Sequence, residues 1–236
     1  MKWFVFSRKW LYVVIIFVLL LTGAGYFLLG ALLFPRAIQP QELFQQSIAR
    51  TKAAKSYSYS IKTQLVTRQG TRCLSELTGA RVLPDKVCAK GKIFNSPVEI
   101  VQVKGMTYIK DRYSSKWLTL EGDRLGETGV FIAELDPLVV LDFQETPAVV
   151  KGKRERGEKM NLLVLEFSPQ VKNRFLAAQF TDFSYRLYVD PKDHYITEIR
   201  VEARSKEAST KLVLNLGLCD FDKQVKIEPP RDAAIN

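Results

Sequence analysis

Along this chain the period of hydrophobic and polar positions changes twice. Residues 11–34 form an unbroken uncharged run. As a helix this run would extend about 36 Å, against about 30 Å of bilayer hydrocarbon, and it predicts a transmembrane helix. Over residues 40–55 the apolar positions Leu43, Phe44, Ile48 and Ala49 fall near one helical face, with Pro40 in the first turn. From Tyr57 the period drops to two. Tyr57, Tyr59, Ile61 and Leu65 alternate with Ser58, Ser60, Lys62 and Gln64, the pattern of a half-buried antiparallel strand. Residues 66–85 are less regular. Residues 87–94, 98–103, 106–110 and 116–120 read as strands, with a hairpin turn at Lys104-Gly105. Residues 122–129 read as a loop. Asp136 is placed to cap a short helix ending near Phe143, and residues 169–180 read as a further helix. Residues 148–156 and 159–167 predict a hairpin across Gly157-Glu158. Residues 183–189, 195–204 and 212–218 alternate cleanly, the first two joined by Asp190-Pro191-Lys192-Asp193 with proline at the second turn position. About nine to eleven strands and about three helices, without βαβ alternation, define an α+β class. A twisted antiparallel sheet this long curls, so the expectation is a transmembrane helix followed by a curved antiparallel sheet, a half-open β-barrel, covered by a few helices.

Charge orients the uncharged run. Lys2, Arg8 and Lys9 precede it and only Arg36 follows closely. The positive-inside bias then places residues 1–10 in the cytoplasm, residues 11–34 as a signal anchor, 35–40 as a short linker, 41–230 as an extracytoplasmic domain and 231–236 as a C-terminal tail. Trp3, Trp10 and Tyr12 fit an interfacial belt. A cleaved signal peptide ending at Gly23-Ala24-Gly25 is the competing reading. Against it, Tyr26-Phe27-Leu28-Leu29 continue the apolar run. No cysteine follows the run closely, which excludes a lipid-modified N-terminus. The net charge is +10, of which residues 1–36 hold four basic side chains and no acid. A mildly basic domain beside a bilayer lies on anionic lipid, and for an exported domain nucleic acid is not an expected partner. The densest basic stretch holds Lys151, Lys153, Arg154 and Arg156. It reads either as a solvated hairpin end or as a contact with the membrane surface or a protein partner.

Candidate chemistry is sparse. Cys73 and Cys88 flank turn-forming residues and are a candidate disulfide, while pairings with Cys219 stay open. No CxxC, GxSxG, Walker A, GxGxxG or HExxH motif occurs. His194 is the sole histidine and falls beside a turn, in phase with Glu198 and Arg200. No catalytic residue, metal site or cofactor is expected, and the chain does not read as an enzyme. Apolar strand positions form the positive signal. Tyr57, Tyr59, Ile61, Ile93, Met106, Tyr108, Trp117, Leu187, Ile199, Val201 and Leu214 are candidates for lining a cavity on the concave side. Periodicity alone leaves open whether they line a cavity or form a packed core.

The order of elements over residues 41–230 resembles the LolA-like lipoprotein-carrier fold. The resemblance rests on the helix running into Ser56-Tyr57-Ser58-Tyr59, the Lys116-Trp117-Leu118 strand and the hairpin of Lys151-Gly152 with Leu165-Glu166-Phe167. It rests also on Leu187-Tyr188-Val189-Asp190-Pro191 running through Tyr195-Ile196, and on a last strand from Phe221 to Pro230. The resemblance implies a hydrophobic cavity under helices, which such proteins use for acyl chains or for sensing lipoproteins. A bacterial protein tethered by a peptide helix would exchange or sense locally rather than shuttle. The expectation is therefore a membrane-anchored extracytoplasmic binding protein for a lipid, a lipoprotein or another hydrophobic ligand. The alternative is a non-catalytic structural or signalling module with a filled core that binds another envelope protein.

Overall fold

The computed structural model describes residues 39–121, 135–156, 161–207 and 209–231. The predicted signal anchor, the loop at 122–129 and the Gly157-Glu158 turn lie outside them. Among the described residues no helix is long and apolar enough to cross a membrane.

Helix α1 (Pro40–Lys52) leads into β1 (Ser56–Thr67), β2 (Gly70–Val82), β3 (Lys86–Ile93), β4 (Ser96–Val103), β5 (Met106–Lys110) and β6 (Trp117–Glu121). After a 3-10 turn (Pro137–Leu141) come β7 (Lys151–Arg156), β8 (Asn161–Phe167), α2 (Arg174–Gln179), β9 (Phe180–Val189), β10 (Ile196–Ser205) and β11 (Lys211–Cys219). All eleven strands belong to one antiparallel sheet in the order β6-β5-β4-β3-β2-β1-β11-β10-β9-β8-β7. Two meanders are thus joined where β11 returns beside β1, with Tyr59 opposite Leu218 and Ile61 opposite Leu216. The sheet is open, its edges being β6 and β7.

Register decides which side chains share a face. Ile61 stands opposite Leu77 and Leu216, Leu216 opposite Ile199, and Ile199 opposite Leu187. These residues form one buried cluster with Leu43 and Phe44 of α1. Every member of that cluster lies between residues 43 and 218, so the unit Pro40–Asn236 carries its own core. The helix is fixed across the face at both ends. Thr51 Oγ1 accepts the Ile196 amide at 3.0 Å, and Phe44 packs edge-on against Phe167 with centroids 4.9 Å apart. At β2–β3 the core face includes two glycines, Gly79 and Gly91. A Cβ on Gly79 would meet the Cys88 carbonyl at 2.3 Å and the Tyr59 ring at 2.6 Å, and one on Gly91 the Glu76 carbonyl at 2.1 Å. Glycine is required where neighbouring groups approach the backbone this closely.

Several expectations are corrected here. Residues 66–85, read as irregular, contain β2. The helix expected over 169–180 is confined to Arg174–Gln179, capped by Asn173, because Val171 is held in a bridge to Phe143. Asp136 makes no capping bond to the turn that follows it; its carboxylate pairs with Arg81 at 3.2 Å instead. The last strand expected at 221–230 does not form. There Val225 and Ile227 pack on the outer face of the sheet against Ala80, Cys88, Val101 and Val103. That tail is fastened by Asp222, which accepts the Lys55 amide at 2.7 Å and the Tyr195 hydroxyl at 2.6 Å. The Tyr195 hydrogen bond, followed by that amide, holds the Asp222 carboxyl below its ordinary range.

Candidate functional site

The residues expected to line a cavity divide between the two faces. Tyr57, Tyr59, Ile61, Ile93, Leu187, Ile199, Val201 and Leu214 share the core face, all buried but Ile93, which is half-buried. Met106, Tyr108 and Trp117 do not join them. Thr107 stands opposite Gln102 and Ile109 opposite Ile100, so the intervening Tyr108 and its neighbours Met106 and Trp117 belong to the outer face. Trp117 is met there by the Lys110 ammonium, 5.6 Å from its ring centroid. Cys73 and Cys88 are not brought together. Ala80 stands opposite Cys88, so Cys73 lies about 23 Å further along β2, far beyond the Cα separation a disulfide spans. All three cysteines are free. Lys151, Lys153, Arg154 and Arg156 lie on edge strand β7, opposite Glu166, Val164, Leu163 and Asn161.

The candidate site lies above this core, where α1 faces the segment 135–150. Gln41, Phe44, Ile48 and Lys52 stand on one stripe of α1, three or four residues apart. The stripe is polar at its ends and apolar in the middle. At one end the Gln41 amide donates to the Pro147 carbonyl at 3.1 Å and accepts the Val149 amide at 2.9 Å. At the other the Lys52 ammonium donates to the Asp142 carboxylate at 2.6 Å and the Leu141 carbonyl at 3.4 Å. Between these fastenings the helix and the segment do not close on each other. They leave a groove of about 400 Å³, bordered by Phe44, Ile48, Ala49, Leu141, Phe143 and Pro147, with Lys52, Asp142 and Lys172 also on its walls. Its aromatic base is anchored, since Phe143 packs edge-on against Phe167 and Tyr185 at 5.6 and 5.4 Å.

Beyond the Lys52–Asp142 pair lies a second pocket of about 230 Å³ with a mixed lining, bordered by Tyr57, Arg81, Leu83, Asp136, Leu138 and Val139. Arg81 donates to the Leu135 carbonyl at 3.2 Å as well as pairing with Asp136. The Tyr57 hydroxyl is buried and has no hydrogen-bond partner among the described residues. Burial, and then the charge of Asp136, push its pKa well up, so it stays a neutral donor. Burial raises Asp136 above its ordinary 3.8, and Arg81 opposes that shift. We expect Arg81→Met to lose about 1–2 kcal/mol at pH 7 in urea unfolding, the pair being partly solvent-screened. Without Arg81 the folded-state pKa of Asp136 rises further. Its ionised form then destabilises the fold above that pKa, and the loss fades as pH falls toward the unfolded value. The gap to wild type should therefore narrow between pH 7 and 4; a constant gap would contradict the pairing.

Among the described residues no group of three or more His, Cys, Asp or Glu side chains is placed to hold a metal ion. His194 occupies the β9–β10 turn, its amide donating to the Asp190 carbonyl.

The open antiparallel sheet with a helix laid across one face and a groove beside that helix has the LolA-like fold expected from the sequence, seen in two solved mycobacterial structures. Two solved structures carry the comparison. LprF from Mycobacterium bovis superposes with a TM-score of 0.52 at 12% identity, over 84% of this chain and 99% of that one. The Mycobacterium tuberculosis lipoprotein LppX superposes with a TM-score of 0.50 at 13% identity, over 80% of this chain and 98% of that one. A LolA superfamily protein from Nitrosomonas europaea matches more loosely, with a TM-score of 0.36 at 9% identity, over 82% of this chain and 96% of that one. No protein-family model matches the chain, and no curated protein matches it in sequence.

Proposed function

We propose that this is a non-catalytic, extracytoplasmic binding protein, tethered to the cytoplasmic membrane by residues 11–34, that seats an acyl chain of a lipid or lipoprotein in the groove of α1. The groove itself carries the reading. It is fastened by Gln41 and Lys52, and between them the apolar side chains of Phe44, Ile48, Leu141 and Phe143 stand together with the exposed polar residues Gln45, Gln144, Glu145 and Thr146. Its volume is in the lower part of the range for small-molecule sites, about 300–1,000 Å³, which suits one chain. Each buried methylene contributes about 0.8 kcal/mol. Lys172 and the Asp142-paired Lys52 are the cations on the groove walls, beside Glu145. The fold shared with LprF and the lipoprotein LppX is consistent with this use.

The test is a substitution that fills the groove from its edge. Ala49 is exposed on α1, so Ala49→Trp should shift the melting temperature by no more than about 2 °C. It should weaken binding of a fluorescent fatty acid at least about tenfold, a loss of about 1.4 kcal/mol. Gln46→Trp, also exposed on α1 and outside the groove, should bind normally. Equal affinity in all three proteins would contradict the assignment.

A second reading has its own support. Ile61, Leu187 and Ile199 are at most 1% exposed, a filled interior of the kind expected in a module that binds another envelope protein through an exposed sheet edge or the basic strand holding Lys151, Lys153, Arg154 and Arg156. Ligand extraction separates the two.

A further inference from the structure

Of the six large apolar side chains exposed among the described residues, five stand at one end of the strands: Phe94, Tyr113, Leu118, Val150 and Phe175. Antiparallel connectivity makes this placement unambiguous. The β1–β2, β3–β4, β5–β6 and β10–β11 turns and the β8–β9 connection all fall at this end, and β6 and β7 begin there. The most exposed of these side chains are Val150 at 81% and Tyr113 at 80%. Phe94 has φ 48° and Asn95 φ 64°. These are left-handed conformations that a hairpin tip ordinarily gives to asparagine or glycine, and that a bulky ring adopts at a cost.

Charge is segregated in the same direction. Within turns 67–72, 92–97 and 111–116 there are five cations, Arg68, Arg72, Lys92, Arg112 and Lys116, and one carboxylate, Asp111. Asp111 is occupied inside its own turn, accepting the Tyr113 and Ser114 amides. None of the five cations forms an ion pair among the described residues, whereas Lys62 and Lys110, on the strands, are paired with Glu76 and Glu99. The opposite end, over residues 53–55, 83–86, 104–105, 190–195 and 220–223, holds five aspartates and five lysines and is balanced in charge.

We propose that this rim of turns is a docking surface for an anionic lipid bilayer, with Tyr113 and Phe94 entering the interface and the cations meeting phosphate headgroups. Arg112 is bonded to Ser96 and to the Tyr113 hydroxyl and lies 4.3 Å from the Tyr113 ring centroid, so this cation and this aromatic tip form one unit. Aromatic tips beside basic residues that lack a carboxylate partner are the combination that interfacial binding requires. Where the chain enters the domain agrees. Gln41, in the first turn of α1, is bonded to Pro147 and Val149 just before β7, at this same end. The uncharged run of the sequence stops at Phe34, six residues before Pro40, a reach of about 20 Å.

The experiment uses residues 40–236, so its result does not depend on whether residues 11–34 form a tether or on what fills the groove. Wild-type protein should co-sediment with vesicles containing phosphatidylglycerol and not with pure phosphatidylcholine. The combined variant Arg68→Glu, Arg112→Glu, Lys116→Glu, altered only at exposed positions, should lose at least about tenfold in affinity. The variant Lys55→Glu, Lys104→Glu, Lys192→Glu carries the same charge change at the opposite end and should bind like wild type. In Tyr113→Trp the indole emission should shift to the blue with anionic vesicles only. Equal losses in both charge variants would overturn the proposal, and so would an unshifted emission. Binding to neither vesicle would also overturn it and leave an acidic protein as the partner this rim fits.

Discussion

Phe44→Ala is expected to cost about 3–4 kcal/mol, a drop of roughly 10 °C in the melting temperature of a unit this size. Phe44 is 2% exposed. Its ring joins three elements, meeting Phe167 of β8 edge-on at 4.9 Å and lying stacked 6.3 Å from Phe143 of the 135–150 segment. Truncation removes those contacts and leaves a void that the surrounding rings cannot close, because Phe143, Phe167 and Tyr185 are already packed against one another. The same side chain forms one wall of the groove, so fatty-acid affinity should fall together with stability. Phe175→Ala, at a ring 45% exposed on α2, is the control and should change stability by no more than about 0.5 kcal/mol. Thermal unfolding of residues 40–236 reads both; equal melting temperatures would refute the assigned role of Phe44.

Gly79→Ala should cost about 2–3 kcal/mol. The conflict is with backbone as well as side chain. The added Cβ would lie 2.3 Å from the Cys88 carbonyl, which belongs to the β2–β3 ladder and has little room to yield, and 2.6 Å from the Tyr59 ring. Gly105→Ala tests whether the loss comes from crowding. Nothing lies within 4 Å of a Cβ there, and only φ +73° opposes the substitution, so about 1 kcal/mol is expected. If both variants lost the same amount in urea unfolding, close approach at β2–β3 would not be the cause.

These residues also show why parts of the fold were legible in the sequence and others were not. In β1, β10 and β11 the core-facing positions are large and apolar and their neighbours mostly polar, so a period of two stands out; Leu212, Leu214, Leu216 and Leu218 are the clearest instance. Strand β2 turns Ser75, Leu77, Gly79 and Arg81 toward the core face. Only one of the four is a large apolar residue, because Tyr59 fills the space over Gly79 and Arg81 reaches Asp136. Its outer face carries Ala80 and Val82, covered by the tail at Val225 and Ile227. Alternation is thereby inverted and the strand disappears from the pattern. The placement of Met106, Tyr108 and Trp117 failed for a related reason. A period of two separates two faces without saying which is the core, and the pairing of Tyr108 with Val101 settles it.

The groove was half visible. Phe44, Ile48 and Ala49 stand out as a helix face, and extending that stripe by one turn in each direction reaches Gln41 and Lys52. Their partners, Pro147, Val149 and Asp142, are 106, 108 and 90 residues away, and no local pattern connects them. Asp136 beside Pro137 reads locally as a helix cap. Only the fold brings Arg81 within 3.2 Å and gives the carboxylate a different role.

The central claim is that the groove of α1 holds an acyl chain. Its most direct test is native mass spectrometry of residues 40–236 recovered after export, followed by organic extraction. The account predicts a mass adduct that survives desalting, extracts as an acylated lipid or peptide, and is lost in Ala49→Trp. A bare polypeptide mass from freshly exported protein, in wild type and variant alike, would contradict it.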